Sequence, residues 1–385
     1  MNVHTLIPAV QQYPWGSPVH IPRLLGLENP EQTPYAELWM GTHPGGMSMV
    51  ELGGVRKSLR ACIEDDPGYW IGIGDDISFL FKLLAAAAPL SIQCHPDAGQ
   101  ARRGFAREEQ EGIPRDAPNR TYRDAQHKPE ILCALSPFRA MCGLRSDAEL
   151  HKLASPFPML RDLARDGCVS FVRRLFCSPK GFRQRLLQEF VQLLSVIEDD
   201  DHGIYALARE FSQRFGLDIG IASPIYLQVL DLSPGEAIFL SPGNLHAYIS
   251  GFAVELMANS DNVIRGGLTK KHIDVRELLE VFSIDQQPVV PFTACRSAGD
   301  PRPAFPAAAD DFLLRECAEG RWTIERADYL EIGIVISGET MISWEGGRRV
   351  YQANRGQSFV IPACIGRYSI ESTGQLYLAS QGVSQ

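Results

Sequence analysis

Gln93 and His95 are two metal-ligand types separated by one residue, Cys94. On a strand, positions i and i+2 project from one face, so this pair can converge on a single ion. The run Leu90-Ser91-Ile92 reads as the strand leading into it, and Pro96-Asp97 ends it. Taken alone, a Gln-x-His pair is more often a hydrogen-bonded structural pair, so partners elsewhere decide. Glu130, in His127-Lys128-Pro129-Glu130, supplies a carboxylate, and His246, in Gly243-Asn244-Leu245-His246, a second imidazole. Two imidazoles, one carboxylate and one amide oxygen suit zinc; iron, manganese or cobalt also fit such donors. One carboxylate against a divalent ion leaves net positive charge. That favours a polarised or anionic oxygen species, the requirement of a Lewis acid.

The elements that must position these donors come in three blocks. Residues 1–146 are rich in Gly, Pro and short apolar runs, the texture of strands and turns. In residues 147–220 the pattern changes: Phe182, Leu186, Leu187, Phe190, Val191, Leu194 and Ile197 recur at helical spacing. This helical block reads as an insertion, because β-type runs resume at 224–230, 237–240 and 247–249. Residues 275–282 look helical, and 286–306 read as a Pro- and Ala-rich connector. Residues 312–378 are again β in character, with a hairpin turn at Trp344-Glu345-Gly346-Gly347-Arg348.

Gly235 to Pro242 and Gly356 to Pro362 share the order Gly, polar, apolar strand, Pro. That order resembles the second signature motif of cupin barrels, and only the first copy is followed by a histidine, His246. The expected fold is mainly β with an α-helical insertion: two cupin-like jelly-roll barrels plus a helical domain. Residues 1–146 and 221–295 would form the metal-bearing barrel with its connecting helix, and 296–385 a C-terminal barrel without metal.

The chain's 385 residues, 45% hydrophobic and 22% charged, are ordinary for a globular protein. A net charge of −9 argues against a general nucleic-acid binder, which needs basic excess to neutralise phosphates. The longest apolar stretch, residues 79–92, is interrupted by Lys82 and too short to cross a bilayer. Residues 1–14 carry no signal pattern, and nine scattered cysteines without a CxxC pair disfavour disulfides and thiolate zinc. A cytoplasmic monomer without membrane or nucleic-acid partners is expected.

Together and in order, the motifs resemble the type I phosphomannose isomerases, the zinc-dependent mannose-6-phosphate isomerases. The resemblance runs through Tyr13-Pro14-Trp15-Gly16-Ser17, Glu37-Leu38-Trp39-Met40-Gly41-Thr42-His43-Pro44, Phe81-Lys82-Leu83-Leu84 and residues 90–96. It continues through His127–Glu130, Ser136-Pro137-Phe138, and residues 242–251 and 255–274. It implies that Gln93, His95, Glu130 and His246 hold one Zn2+ per chain. It also implies interconversion of mannose 6-phosphate and fructose 6-phosphate through a cis-enediol. Such a reaction needs a group that moves one proton between C2 and C1. Lys128, His127, Glu255 and Asp261 are all candidates.

The resemblance places the family's essential arginine at Arg265, for the phosphate or the enediolate. Ser91, Lys82 and Lys271 are further phosphate candidates, and Trp15 and Tyr248 are either pocket walls or core. Lys82, inside an apolar run, either faces a cavity or an anion or snorkels from a helix face. The family usually has proline where Lys270 stands, which leaves open whether Lys270 or Lys271 meets the substrate. Competing readings are another metal-dependent cupin enzyme, such as a dioxygenase, or a non-catalytic sugar-phosphate-binding homologue.

Overall fold

The computed structural model describes residues 1–72, 76–200, 202–283, 288–297, 300–307, 309–325 and 328–382. Among these residues strands outnumber helices and fall into three sheets.

One long strand, His246–Ala258, organises the sheet that carries the ligands. Its second half pairs antiparallel with Phe79–Ala86 on one side and Glu130–Ala134 on the other. Its first half pairs instead with Phe138–Leu144, and meets Ile92–Cys94 at His246 opposite Gln93. The partner switch falls at Gly251, whose φ is +126°, beside a register shift between Tyr248 and Ser250. A Cβ at Gly251 would stand 2.6 Å from the Phe138 ring, so glycine is what lets the strand bend this close.

Phe79–Ala86 is buried along its whole length, which makes it a central strand. Pleating divides its side chains. Phe79, Phe81, Leu83 and Ala85 join Val254, Leu256, Ile332 and Val360 in a core shared with the C-terminal sheet. Leu84 faces the other way, toward Leu132, Tyr248 and Ala253. Lys82 alternates with Leu83 and so lies on that second face. The helix-face alternative for Lys82 is therefore corrected: the same run that suggested a helix is a strand buried on both sides.

The chain's two ends share the second sheet. His4–Ile7 lies between Ser358–Ile361 and Met49–Leu52, antiparallel to both. The third sheet is Gly320–Ile324, Tyr368–Ser372, Glu339–Trp344 and Arg349–Asn354, the last two joined by the expected turn.

Between the β blocks stand helices Asp147–Ala154, Pro158–Ala164, Cys168–Cys177, Lys180–Leu194 and Ile204–Phe215. Ser146 starts the first through a reciprocal capping box with Glu149. Leu186, Leu187, Phe190 and Leu194 bury the predicted stripe of the fourth. Three local expectations shift. The run 224–230 begins as a short helix, Ser223–Tyr226, because Pro224 suits a first helical turn, and the strand follows at Leu227–Leu232. The strand near the first ligands is Ile92–Cys94, not Leu90 onward. The connector 286–306 contains strands Cys295–Ser297 and Asp300–Ala304, and its residues 286, 287, 298 and 299 lie outside the described ones.

Candidate metal centre and cavity

His95, Glu130 and His246 converge, with one ligand atom from each lying within 4.8 Å of the others, all three buried. Glu130 opens its strand between the two rings: Oε1 is 3.3 Å from His95 Nε2, and Oε2 is 3.5 Å from His246 Nε2. Each histidine turns its other nitrogen to a backbone carbonyl. His95 Nδ1 is 2.7 Å from the Asn262 oxygen, and His246 Nδ1 is 3.1 Å from that of Asn244. Donation from Nδ1 fixes the tautomer that offers Nε2 lone pairs to a common centre, as metal-bound imidazoles require.

His95 Nε2 is buried and has no hydrogen-bond partner. A buried orphan acceptor is costly, and a cation at this point would satisfy it. The protonation states agree. Burial pushes His95 down to about 4, so the ring is neutral and able to ligate at neutral pH. Burial opposes ionisation of Glu130, but Lys128 and the facing rings of His95 and His246 outweigh it and hold the carboxyl well below its usual range. The residues therefore fit a divalent ion such as zinc.

Gln93 joins this group by register. It lies directly opposite His246 on one side and Arg265, in strand Ile264–Gly267, on the other. Opposed residues on neighbouring strands share a face, so amide, imidazole and guanidinium form one row.

A cavity of about 340 Å³ opens above the row, lined by Trp15, Glu37, Lys82, Ser91, Gln93, Lys128, Arg265 and Lys271, among others. A smaller space of about 60 Å³, reaching Glu130, His246, Tyr248 and Glu255, continues from it to the ligands. Lys271, not Lys270, lines the larger cavity. Burial lowers the pKa of both Arg265 and Lys271, and neighbouring cations add to it: Arg123 for both, and Arg265 for Lys271. Two cations on the cavity wall, with Arg123 near enough to act on both, suit a small dianion.

The cavity floor is an ion-pair network. Lys82 Nζ is 2.9 Å from Glu255 Oε2 and 3.6 Å from Glu37 Oε1. Burial works against its charge, yet Glu255 and Glu37 raise its pKa, so it stays an ammonium. Tyr248 donates to the other Glu255 oxygen at 2.8 Å. Glu255 thus has both oxygens engaged. Glu37, the more distant partner of Lys82, is pushed up by burial and accepts a 2.8 Å hydrogen bond from Trp39.

The other proton-transfer candidates separate. Lys128 Nζ is 3.2 Å from Glu130 Oε1 and lines both spaces. Asp261 Oδ2 is 3.4 Å from His43 Nε2, and this contact holds its carboxyl below the usual range. His127 turns to Asp311, with Nε2 2.9 Å from Oδ2, and lines neither space. Sequence reasoning missed Glu37 and Asn262 as site residues. Glu37 had a signal, an acid opening the apolar run Leu38-Trp39-Met40. Asn262 acts through its backbone oxygen, which no residue type announces.

The His127–Asp311 contact makes its own prediction. The hydrogen bond His127 donates to the Asp311 carboxylate raises its folded pKa above the unfolded value. Its stabilisation is therefore complete below the unfolded pKa and fades as pH rises through the raised one. Urea unfolding of wild type against Asp311→Asn should give a stability gap widest near about pH 6 and narrowing toward about pH 8. A gap that is flat across this range removes the pair from the pH dependence.

Fold and site together define a mainly-β protein with a candidate metal centre at the foot of a cation-lined cavity. The family model described as phosphomannose isomerase type I, catalytic domain, matches residues 3–147. Mannose-6-phosphate isomerase of Escherichia coli (strain K12) is 35% identical over 384 residues, covering 96% of this chain and 97% of the relative. The Homo sapiens mannose-6-phosphate isomerase is 34% identical over 73% of each chain. A zinc-bound crystal structure of mannose 6-phosphate isomerase superposes with a TM-score of 0.90 at 32% identity, covering 100% of both chains. The Salmonella typhimurium enzyme bound to substrate (f6p) and zinc gives the same three values. The chain belongs to the type I phosphomannose isomerase family.

Proposed function

We propose that Gln93, His95, Glu130 and His246 hold the single zinc ion with which this chain, a mannose-6-phosphate isomerase, interconverts mannose 6-phosphate and fructose 6-phosphate. The observation that carries the ligand assignment is the orphaned Nε2 of His95, facing Glu130 and His246 in a buried, tautomer-fixed cluster. Bound there, zinc supplies Lewis-acid stabilisation of oxyanion charge during the proton transfer.

The chain's own groups do the rest. Lys271 and Ser91 bind the phosphate end at the cavity mouth, Arg265 reaches from the rim toward the reacting end, and Trp15 walls the sugar. Lys128 moves the proton between C2 and C1. It is the candidate that lines both spaces without having all its partners fixed elsewhere. Among the described residues the one carboxylate within ion-pair distance of it is Glu130. Glu255 and Glu37 hold Lys82 and close the floor to water.

The two β blocks are read as cupin-like barrels, the first from residues 1–146 and 221–295, the second from 296–385 with the N-terminal strand added. Their separate interior clusters, one around Leu132 and Tyr248 and one around Ile342 and Phe359, support this, with 147–220 as the helical domain. One chain contains every residue of the site, which supports a monomer as the working unit. All nine cysteines are free, which supports a cytoplasmic enzyme. Among the described residues no helix is long and apolar enough to cross a membrane.

The test is a coupled assay with mannose 6-phosphate. Purified protein should form fructose 6-phosphate, lose activity in EDTA and regain it with zinc. Full turnover by metal-free protein would overturn the metal role.

A further inference from the structure

We infer that Asp218, at the end of the helical block, is a positioning residue that clamps the loop presenting Arg265 and Lys271 to the substrate. This rests on the cavity being the sugar-phosphate site.

Leu268 is the outlier that points there. Its φ is +52°, one of three positive values at non-glycine positions among the described residues. A side chain in the left-handed region is held only where its surroundings over-determine it. Here the determinant is one carboxylate. Asp218 Oδ1 accepts from the Leu268 amide at 2.7 Å and from the Gly220 amide at 2.7 Å. Oδ2 faces the Thr269 amide at 3.4 Å. The chain of contacts then continues outward, because Thr269 Oγ1 accepts from the Lys271 amide at 3.1 Å. Thr269 and Lys271 both line the cavity.

Backbone packing supports the same reading. Gly267 has φ +145°, and a Cβ on it would lie 2.6 Å from Gly220 Cα. The loop is pressed directly onto the turn Ile219–Ala222 that Asp218 caps. The Leu268 side chain is buried in the core formed by the helices, with Phe211 and Ile221. The loop also needs a restraint. Arg265 and Lys271 repel each other, and Lys270-Lys271 contains no proline to limit φ. The helical block thereby gains a role in substrate binding, since it supplies the anchor for a loop whose working residues it does not itself contain.

Three variants of the zinc-loaded enzyme test this. Asp218→Ala should raise KM for mannose 6-phosphate about ten-fold and weaken inhibition by inorganic phosphate about equally, with kcat changed far less and zinc content unchanged. Asp218→Asn keeps an Oδ1 acceptor and should recover most of the loss. Lys271→Ala should raise KM on its own account. If Lys271→Ala raises KM and Asp218→Ala does not, the clamp is wrong. If neither raises it, the reading of the cavity is wrong. Should Asp218→Ala fail to fold, Gly220→Ala attacks the same contact with the carboxylate in place. Its Cβ would stand 2.6 Å from the Leu268 nitrogen and force the loop away. A wild-type KM in a folded Gly220→Ala protein overturns the inference.

Discussion

Glu130→Gln should yield a folded protein whose zinc affinity is down more than about 100-fold and whose isomerase turnover is down about 1,000-fold or more. The reason lies in what the carboxylate touches. Its two oxygens face His95 and His246 separately, and Lys128 sits against Oε1. Among the described residues it is the only carboxylate of the trio, so an amide in its place leaves no anionic donor to hold a divalent ion. The fold should survive. Glu130 opens a strand whose ladder to Ala237–Leu240 and to the long strand is made by backbone. Glutamine preserves length and shape there. Zinc content after dialysis, read beside the circular dichroism spectrum and the isomerase rate, checks all three claims. A variant that keeps stoichiometric zinc and wild-type turnover would show that the metal lies elsewhere.

The candidate metal ligands can be picked out in the sequence because their donor types and motif order, taken together, mark them. Gln93, His95, Glu130 and His246 sit in short motifs whose donor types, and for the first two the same-face spacing, can be read without knowing the fold, and the helices at 147–216 announce themselves by periodicity. What depends on pairing between distant strands is not legible in this way. Lys82 reads as a phosphate candidate rather than an ion-paired lysine because its acids, Glu37 and Glu255, lie far away in sequence and meet it only through antiparallel register. His127 reads as a candidate base because it lies close in sequence to Glu130. Its partner Asp311 belongs to the C-terminal segment, and that contact turns it away from the cavity. The short helix at Ser223–Tyr226 is hidden for a local reason. Pro224 breaks a strand as readily as it starts a helix, and an apolar run of that length fits both.

Arg265→Ala should lower kcat by about 100- to 1,000-fold while leaving zinc content at the wild-type level. Arg265 lies opposite Gln93, in the same row as His246, so its guanidinium belongs to the reacting end of the cavity as well as to its rim. Among the described residues it has no ion-pair or hydrogen-bond partner for its side chain, although it is only half-exposed and depressed in pKa by burial and Arg123. A cation kept partly desolvated and unpaired costs the fold free energy, and that cost is offset only when an anion arrives. If the anion is the enediolate, charge grows during the reaction and the loss falls on kcat; if it is the phosphate alone, ground and transition states lose equally and KM absorbs the change. The row geometry favours the first outcome for Arg265 and the second for Lys271. Arg265→Lys should restore only part of the rate, because a point charge lacks the planar fork that grips two oxygens at once. Steady-state kinetics on the two alanine variants separates these roles, and a wild-type kcat in Arg265→Ala removes the residue from the chemistry.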